Sequence, residues 1–181
     1  MKFKCIIVSS LFILLLSTSY CQNFLPVDEG SSIKFSIKNF GFSVGGTFTG
    51  VKGNIKFDAA KAGDAKFDVS INATSLNTNN QARDKHLRKE DYFDVEKYSI
   101  INFRSSSISS IKPETFLMHA KVTIKGTTKE ISFPFTATAQ NNGYLFVGSF
   151  KINRRDFGVG GSSMVLADNL EVSLSVFAKK N

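Results

Sequence analysis

The chain has 181 residues, 23 of them basic and 15 acidic, with 18 phenylalanines, no tryptophan and two cysteines. Both cysteines, Cys5 and Cys21, fall within the first 21 residues, so the rest can hold neither a disulfide nor a thiolate metal site. Without Lys2 and Lys4, 21 basic residues face 15 acidic ones, a net charge of +6 that is spread along the chain. Such a spread, with no basic stripe, speaks against nucleic acid as a partner and leaves room for transient contact with anionic membrane surfaces.

Residues 1–21 read as an export signal. Lys2 and Lys4 form a basic start, Ile6 to Leu16 an apolar run, and Ser19 and Cys21 a small-residue cleavage pattern before Gln22. The run is short for a membrane span. Secretion or periplasmic release is favoured over lipid attachment at Cys21, because Tyr20 stands where lipoprotein processing needs a small residue. The remaining 22–181 are expected to form one domain, since no linker or internal repeat divides them.

Strand patterning dominates that domain. Ile33, Phe35 and Ile37 alternate with polar neighbours, and a glycine-rich stretch from Gly41 to Gly53 reads as a bend before Ile55 and Phe57. Phe67, Val69, Ile71 and Ala73 form the next apolar face. The pattern then breaks. Thr78 followed by Gln81 looks like a capping box opening a helix over 78–90, with Asp84 and Arg88 spaced for an ion pair. Ala82, His86 and Leu87 would share one side of it. Alternation returns at Ile101 and Phe103, then over Phe116 to Ile124, Ile131 to Ala139, Tyr144 to Ile152, and Leu170 to Val176. Each run has one apolar and one wet face. About eight such strands joined by short polar turns predict an all-β fold, a single antiparallel barrel with one short helix capping it.

Catalytic and metal-binding patterns are scarce. His119 falls on an outward strand position, and His86 on the helix has no cysteine or second histidine beside it. Asp91, Asp94 and Glu96 read as surface and capping charges, and Gly158, Gly160 and Gly161 as a turn with permissive backbone angles. The reading is therefore of a protein that is not an enzyme, with no catalytic residues, metal or cofactor. An eight-stranded barrel can be filled by side chains or can hold one small ligand, and composition alone does not separate these.

Four stretches resemble the YceI family of exported lipid- or polyisoprenoid-binding proteins. They are Gly45-Gly46-Thr47-Phe48 leading to Gly53–Asp58, Arg83-Asp84-Lys85-His86-Leu87 with Phe93–Tyr98 and Ile101–Phe103, Val122–Lys129 with Phe133-Pro134, and Asn153–Gly158. Their order along the chain is more telling than any one of them. Ser99 departs from the proline common in the family, and Asn39 from a frequent histidine. The resemblance implies a lipocalin-like barrel whose cavity takes an isoprenoid lipid or the tail of a quinone.

On strand phase, the candidate lining is Phe35, Ile37, Phe57, Phe67, Val69, Phe103, Phe133, Phe135, Phe146 and Phe150. Arg83, Asp84, His86, Leu87, Arg155 and Asp156 are candidates for a rim or lid, where they could equally fasten the helix and last hairpin by ion pairs. A ligand-free barrel acting in stress or protein interaction, a small outer-membrane barrel and a homodimer are the alternatives. The export reading makes a mass prediction. The processed protein should begin at or near Gln22 and carry no thiol; a diacylglyceryl group on Cys21 would overturn it in favour of a lipoprotein.

Overall fold

The computed structural model describes residues 22–181, so residues 1–21, read above as an export signal, and with them both cysteines lie outside the described residues. Eight antiparallel strands pair each with its sequence neighbour and close into a barrel. They are β1 (Gln22–Asn39), β2 (Phe42–Phe57), β3 (Lys66–Asn77), β4 (Ile100–Lys112), β5 (Thr115–Ile124), β6 (Thr127–Gln140), β7 (Gly143–Asn153) and β8 (Leu166–Lys180). One α-helix, α1 (Gln81–Leu87), lies between β3 and β4. β1 closes the ring against β8, with Phe35 opposite Val172 and Ile37 opposite Leu170. Closure leaves no sheet edge to template aggregation.

The strand phases hold. Phe67, Phe116, Met118, Phe133, Phe135 and Phe146 are all buried, while Lys34, Lys66 and His119 face solvent. The apolar face therefore points inward, the inverse of a barrel that shows its apolar face to lipid. Two stretches differ from the sequence reading. The glycine-rich segment is not a bend but most of β2; Gly53, at positive φ, is paired in register with Val69, and Gly50, also at positive φ, sits where the β2–β3 register shifts between Thr49 and Lys52. Glycine there permits a bulge that bends the strand without ending it. The serine-rich run 105–110 is also strand, belonging to β4, with Ile108 as its buried apolar residue.

The two halves of the interior are packed differently. At the end holding the chain terminus, Phe24, Phe57, Phe67, Phe116, Phe135, Phe146 and Tyr144 meet in a continuous aromatic cluster. Phe57 is its hub, with ring centroids of Phe116, Tyr144 and Phe146 at 5.3, 5.1 and 5.2 Å and near-perpendicular planes. Edge-to-face contacts of this kind add to the burial of the rings. A 3-10 turn over Ala59–Asp64 buries Ala62 beneath this cluster and is capped by Asp58, which accepts from the Ala60 N–H at 2.9 Å. That end is solid. The opposite half is lined by Ile33, Ile37, Ile101, Leu170, Val172, Leu174 and Val176, which are shorter side chains and leave a void.

This asymmetry predicts unequal costs for the same truncation. Phe57→Ala should destabilise the fold by about 3–5 kcal/mol, as expected for a phenylalanine removed from a filled core. Phe150→Ala, on the wall of the void, should cost markedly less, because its ring already lacks neighbours on one side. Urea unfolding of both variants checks the order.

Candidate functional site

The void is a cavity of about 530 Å³ inside the barrel, within the range typical of small-molecule sites. Its floor is the top of the aromatic cluster: Ile55, Phe67, Met118, Phe133, Phe135 and Phe146. Its walls are the inward residues of all eight strands. Its roof comes from three connections at one end of the barrel: α1 with the segment that follows it, the β1–β2 turn, and the long β7–β8 loop.

Nine of the ten expected lining residues face this cavity: Phe35, Ile37, Phe67, Val69, Phe103, Phe133, Phe135, Phe146 and Phe150. Phe57 does not. It shares their strand phase, but phase tells only inside from outside, and its position near the end of β2 places it in the solid half. Of the rim candidates, Arg83, His86 and Leu87 line the roof. Asp84 is buried behind them, and Arg155 and Asp156 are exposed and away from the cavity. Their neighbour Arg154 lines it instead, together with Phe157 and Val159.

The helix starts later than the capping-box reading placed it. Asn80 is the cap, its side chain accepting the Arg83 N–H at 3.0 Å, and the helix spans only Gln81–Leu87. Thr78 serves Asp84 instead: the Asp84 carboxylate accepts the Thr78 N–H at 2.9 Å and its hydroxyl. Arg83 completes the knot, donating through Nε to Thr78 Oγ1 and through Nη2 to the Thr78 carbonyl, both at 2.8 Å. The helix face was also out of phase. Ala82 is exposed and His86 is exposed at the rim of the cavity, whereas Asp84 is buried and Arg83, Leu87 and Arg88 are half-buried.

Arg88 does not form its ion pair with Asp84. Its guanidinium donates to the carbonyls of Thr74, at 3.0 Å, and Leu76. β3 pairs with β4 only from Asp68 to Asn72, so these later carbonyls face no β4 partner and need a donor. Lys125, in the β5–β6 turn, fastens the other side of the roof, donating to Glu90 O at 2.6 Å and Gly158 O at 2.8 Å. The Gly160 N–H reaches Asp91 O at 2.8 Å. Arg154 is 4% exposed and fully engaged, bonding the carbonyls of Val159, Leu166 and Ala167 and the Asp168 carboxylate. It anchors the β7–β8 loop.

The lining is mostly apolar over its depth; Asn39, Thr78, Arg83, His86, Tyr92, Arg154 and Ser163 gather at the roof, and Lys34 and Ser70 are the polar residues contributed from within β1 and β3. Among the described lining residues there is no carboxylate. A shallower depression between the ends of β2 and β3, bordered by Gly45, Gly46, Asn77 and Asn79, meets the cavity at Phe35, Thr78 and Arg83. Among the described residues no cluster of three or more metal-ligating side chains occurs.

The Asp84 knot has a pH signature. Its hydrogen bond from the Thr78 hydroxyl, then that from the Thr78 N–H and the nearby charges of Arg88 and Arg83, hold its carboxyl below the ordinary value of 3.8, against the opposing effect of burial. A lowered folded value means the carboxylate stabilises the roof fully above the ordinary value. That contribution is withdrawn as pH falls through the lowered folded value. Protection of the Thr78 and α1 amides against exchange, relative to the intrinsic rate at each pH, should therefore fall below about pH 4, and Asp84→Asn should show low protection at neutral pH and largely lose this dependence. Unchanged protection in Asp84→Asn would remove the carboxylate from any part in holding the roof.

The YceI-like domain model matches residues 26–178. A UPF0312 protein of Shewanella denitrificans is 31% identical over 153 residues, covering 81% of this chain and 80% of that protein. One from Pseudomonas savastanoi pv. phaseolicola is 34% identical over 158 residues, covering 82% and 81%. Among solved structures, the Campylobacter jejuni YCEI protein matches with a TM-score of 0.67 at 25% identity, covering 100% of this chain and 99% of that one. Burkholderia cenocepacia BcnA matches at 0.78 and 24% identity, covering 82% and 96%. A polyisoprenoid binding domain from Saccharophagus degradans matches at 0.70 and 16% identity, covering 89% and 99%, which is a likeness of fold alone. From residue 26 to residue 178 this chain is a YceI-like domain, and it belongs to that family.

Proposed function

We propose that this protein is an exported, non-enzymatic carrier that sequesters an amphiphilic lipid with an isoprenoid tail, a polyisoprenoid or an isoprenoid quinone. The observation that carries the reading is the cavity itself: about 530 Å³, mostly apolar along its depth, floored largely by phenylalanines and with most of its polar side chains at the roof. The family membership and the polyisoprenoid-binding domain among the structural neighbours support it. In this reading the tail lies against Val69, Phe103, Phe150 and the β8 aliphatics, and the head stays among Asn39, Thr78, Arg83, Tyr92 and Ser163. Each sequestered CH₂ contributes roughly 0.8 kcal/mol, so about ten carbons offset the ordering cost of binding. In this reading the site holds its guest by shape and burial.

An organic extract of the purified protein, read by mass spectrometry, should contain a polyprenyl or isoprenoid quinone species. Leu174→Trp, which fills part of the void, should lower the amount retained at least tenfold while circular dichroism keeps the β signal. A wild-type protein that yields no lipid and binds no polyprenyl phosphate or quinone would favour a barrel that works by protein interaction instead.

A further inference from the structure

We propose that the β1–β2 turn and the β7–β8 loop form a membrane-docking tip, which seats the cavity mouth on an anionic bilayer surface. The three most exposed large apolar side chains among the described residues lie here: Met164 at 104%, Phe42 at 77% and Phe40 at 70%. They form one structural unit. The Phe40 N–H donates to Val165 O at 2.9 Å, and Asn39 at the end of β1 pairs with Phe42 on one side and Leu166 on the other. Phe40 and Val165 also line the cavity, so this apolar tip is continuous with the mouth. Other exposed apolar residues, such as Leu25, Ile111 and Val147, lie apart from it on the outer wall or toward the solid end.

The turn is built at a conformational cost that its fold does not need. Phe40 and Gly41 both have positive φ, 49° and 80°, the form of a two-residue hairpin that favours Asn-Gly. A phenylalanine at the first position is uncommon in this left-handed region. It holds a large ring in solvent at the rim, and a Cβ added at Gly41 would meet nothing within 4 Å, so the tip is open on that side. The charge around it suits an anionic surface. Residues 38–44 and 158–167 contain no carboxylate and one cation, Lys38, within a domain of net charge +6. Exposed aromatic and long aliphatic side chains on a basic body partition into the headgroup–acyl boundary, with anionic lipid adding attraction. A soluble partner protein would also cover apolar side chains, but the continuity of this tip with a mouth that opens on an apolar cavity favours a lipid surface.

The role of this tip in lipid exchange rests on the carrier reading, but the docking is measurable without it. Vesicles of pure phosphatidylcholine and of phosphatidylcholine with a quarter phosphatidylglycerol, floated with the purified protein, provide the test. Wild type should partition onto the anionic vesicles and do so less at high salt. Phe40→Ser with Phe42→Ser and Met164→Ser should reduce that partitioning at least tenfold. Phe40→Asn alone relieves the turn, so it should raise resistance to urea while still weakening partitioning, which separates docking from folding. Loading of a polyprenyl phosphate from detergent solution should be unchanged in Phe42→Ser with Met164→Ser, because neither side chain lines the cavity. Absence of wild-type binding to either vesicle, or equal binding by the triple variant, overturns the docking tip whether or not the cavity holds lipid. So does a wild-type dimer that the triple variant dissociates without any effect on vesicle binding, since the tip would then serve a second copy of the chain.

Discussion

Closing eight strands into a ring fixes the width of the space inside, and every other property of this molecule depends on what the inward side chains do with that space. Near the chain terminus the ring encloses phenylalanines from β1, β2, β3, β5, β6 and β7, and they meet edge to face with no room left. Toward the other end the same circumference is lined by more isoleucine, leucine and valine, and these do not reach one another across the axis. The solid half supplies the dense burial that holds a domain together without a disulfide. The hollow half can then remain underfilled, which would be a liability in a barrel without such a base.

The roof follows from where strand pairing stops. β3 outlasts its pairing with β4, and the carbonyls left over at Thr74 and Leu76 are taken by Arg88. Asp84, Thr78 and Arg83 close the entrance to the helix, while Lys125 ties the helix's far side to two backbone carbonyls on different loops. Most of these fastenings are cationic side chains bonded to backbone oxygens rather than ion pairs. They satisfy backbone carbonyls that strand pairing leaves over, some half-buried, as at Leu76, and some exposed, as at Thr74 and Glu90. A seven-residue helix would be unstable alone, so α1 exists because the barrel end holds it.

Much of this was legible in the sequence because period-two alternation survives in every strand whose outer face is wet. Phe67, Phe133 and Phe146 could be placed inside from their neighbours alone. The glycine-rich part of β2 and the serine-rich part of β4 were opaque for opposite reasons: one lacks side chains to alternate, the other has a single buried residue to mark its phase. Depth along the barrel was illegible too. Phe57 and Phe150 look alike in sequence, and only strand length and register put one in the core and the other on the cavity wall. Arg154 was passed over for Arg155 because an adjacent basic pair gives no sign of which member turns inward. The helix cap was misread because threonine and asparagine compete for that role, and Thr78 was already committed to Asp84.

The hollow is set by residue choice rather than by a failure of packing. β8 places Leu170, Val172, Leu174 and Val176 inward in succession, facing the Ile33-Phe35-Ile37 side of β1 across their shared ladder, and only then Ala178 at the solid end. Phenylalanine is available throughout this chain, and a few more on β8 would have closed the void as they close the base. The small side chains of β8 instead keep one wall of the cavity thin along its length. The same strand begins at Leu166, beside the loop that carries Met164 and Val165. The thin wall and the exposed apolar tip are therefore contiguous in sequence, and Leu166, Leu170, Val172, Leu174 and Val176 line the cavity in succession from the mouth inward.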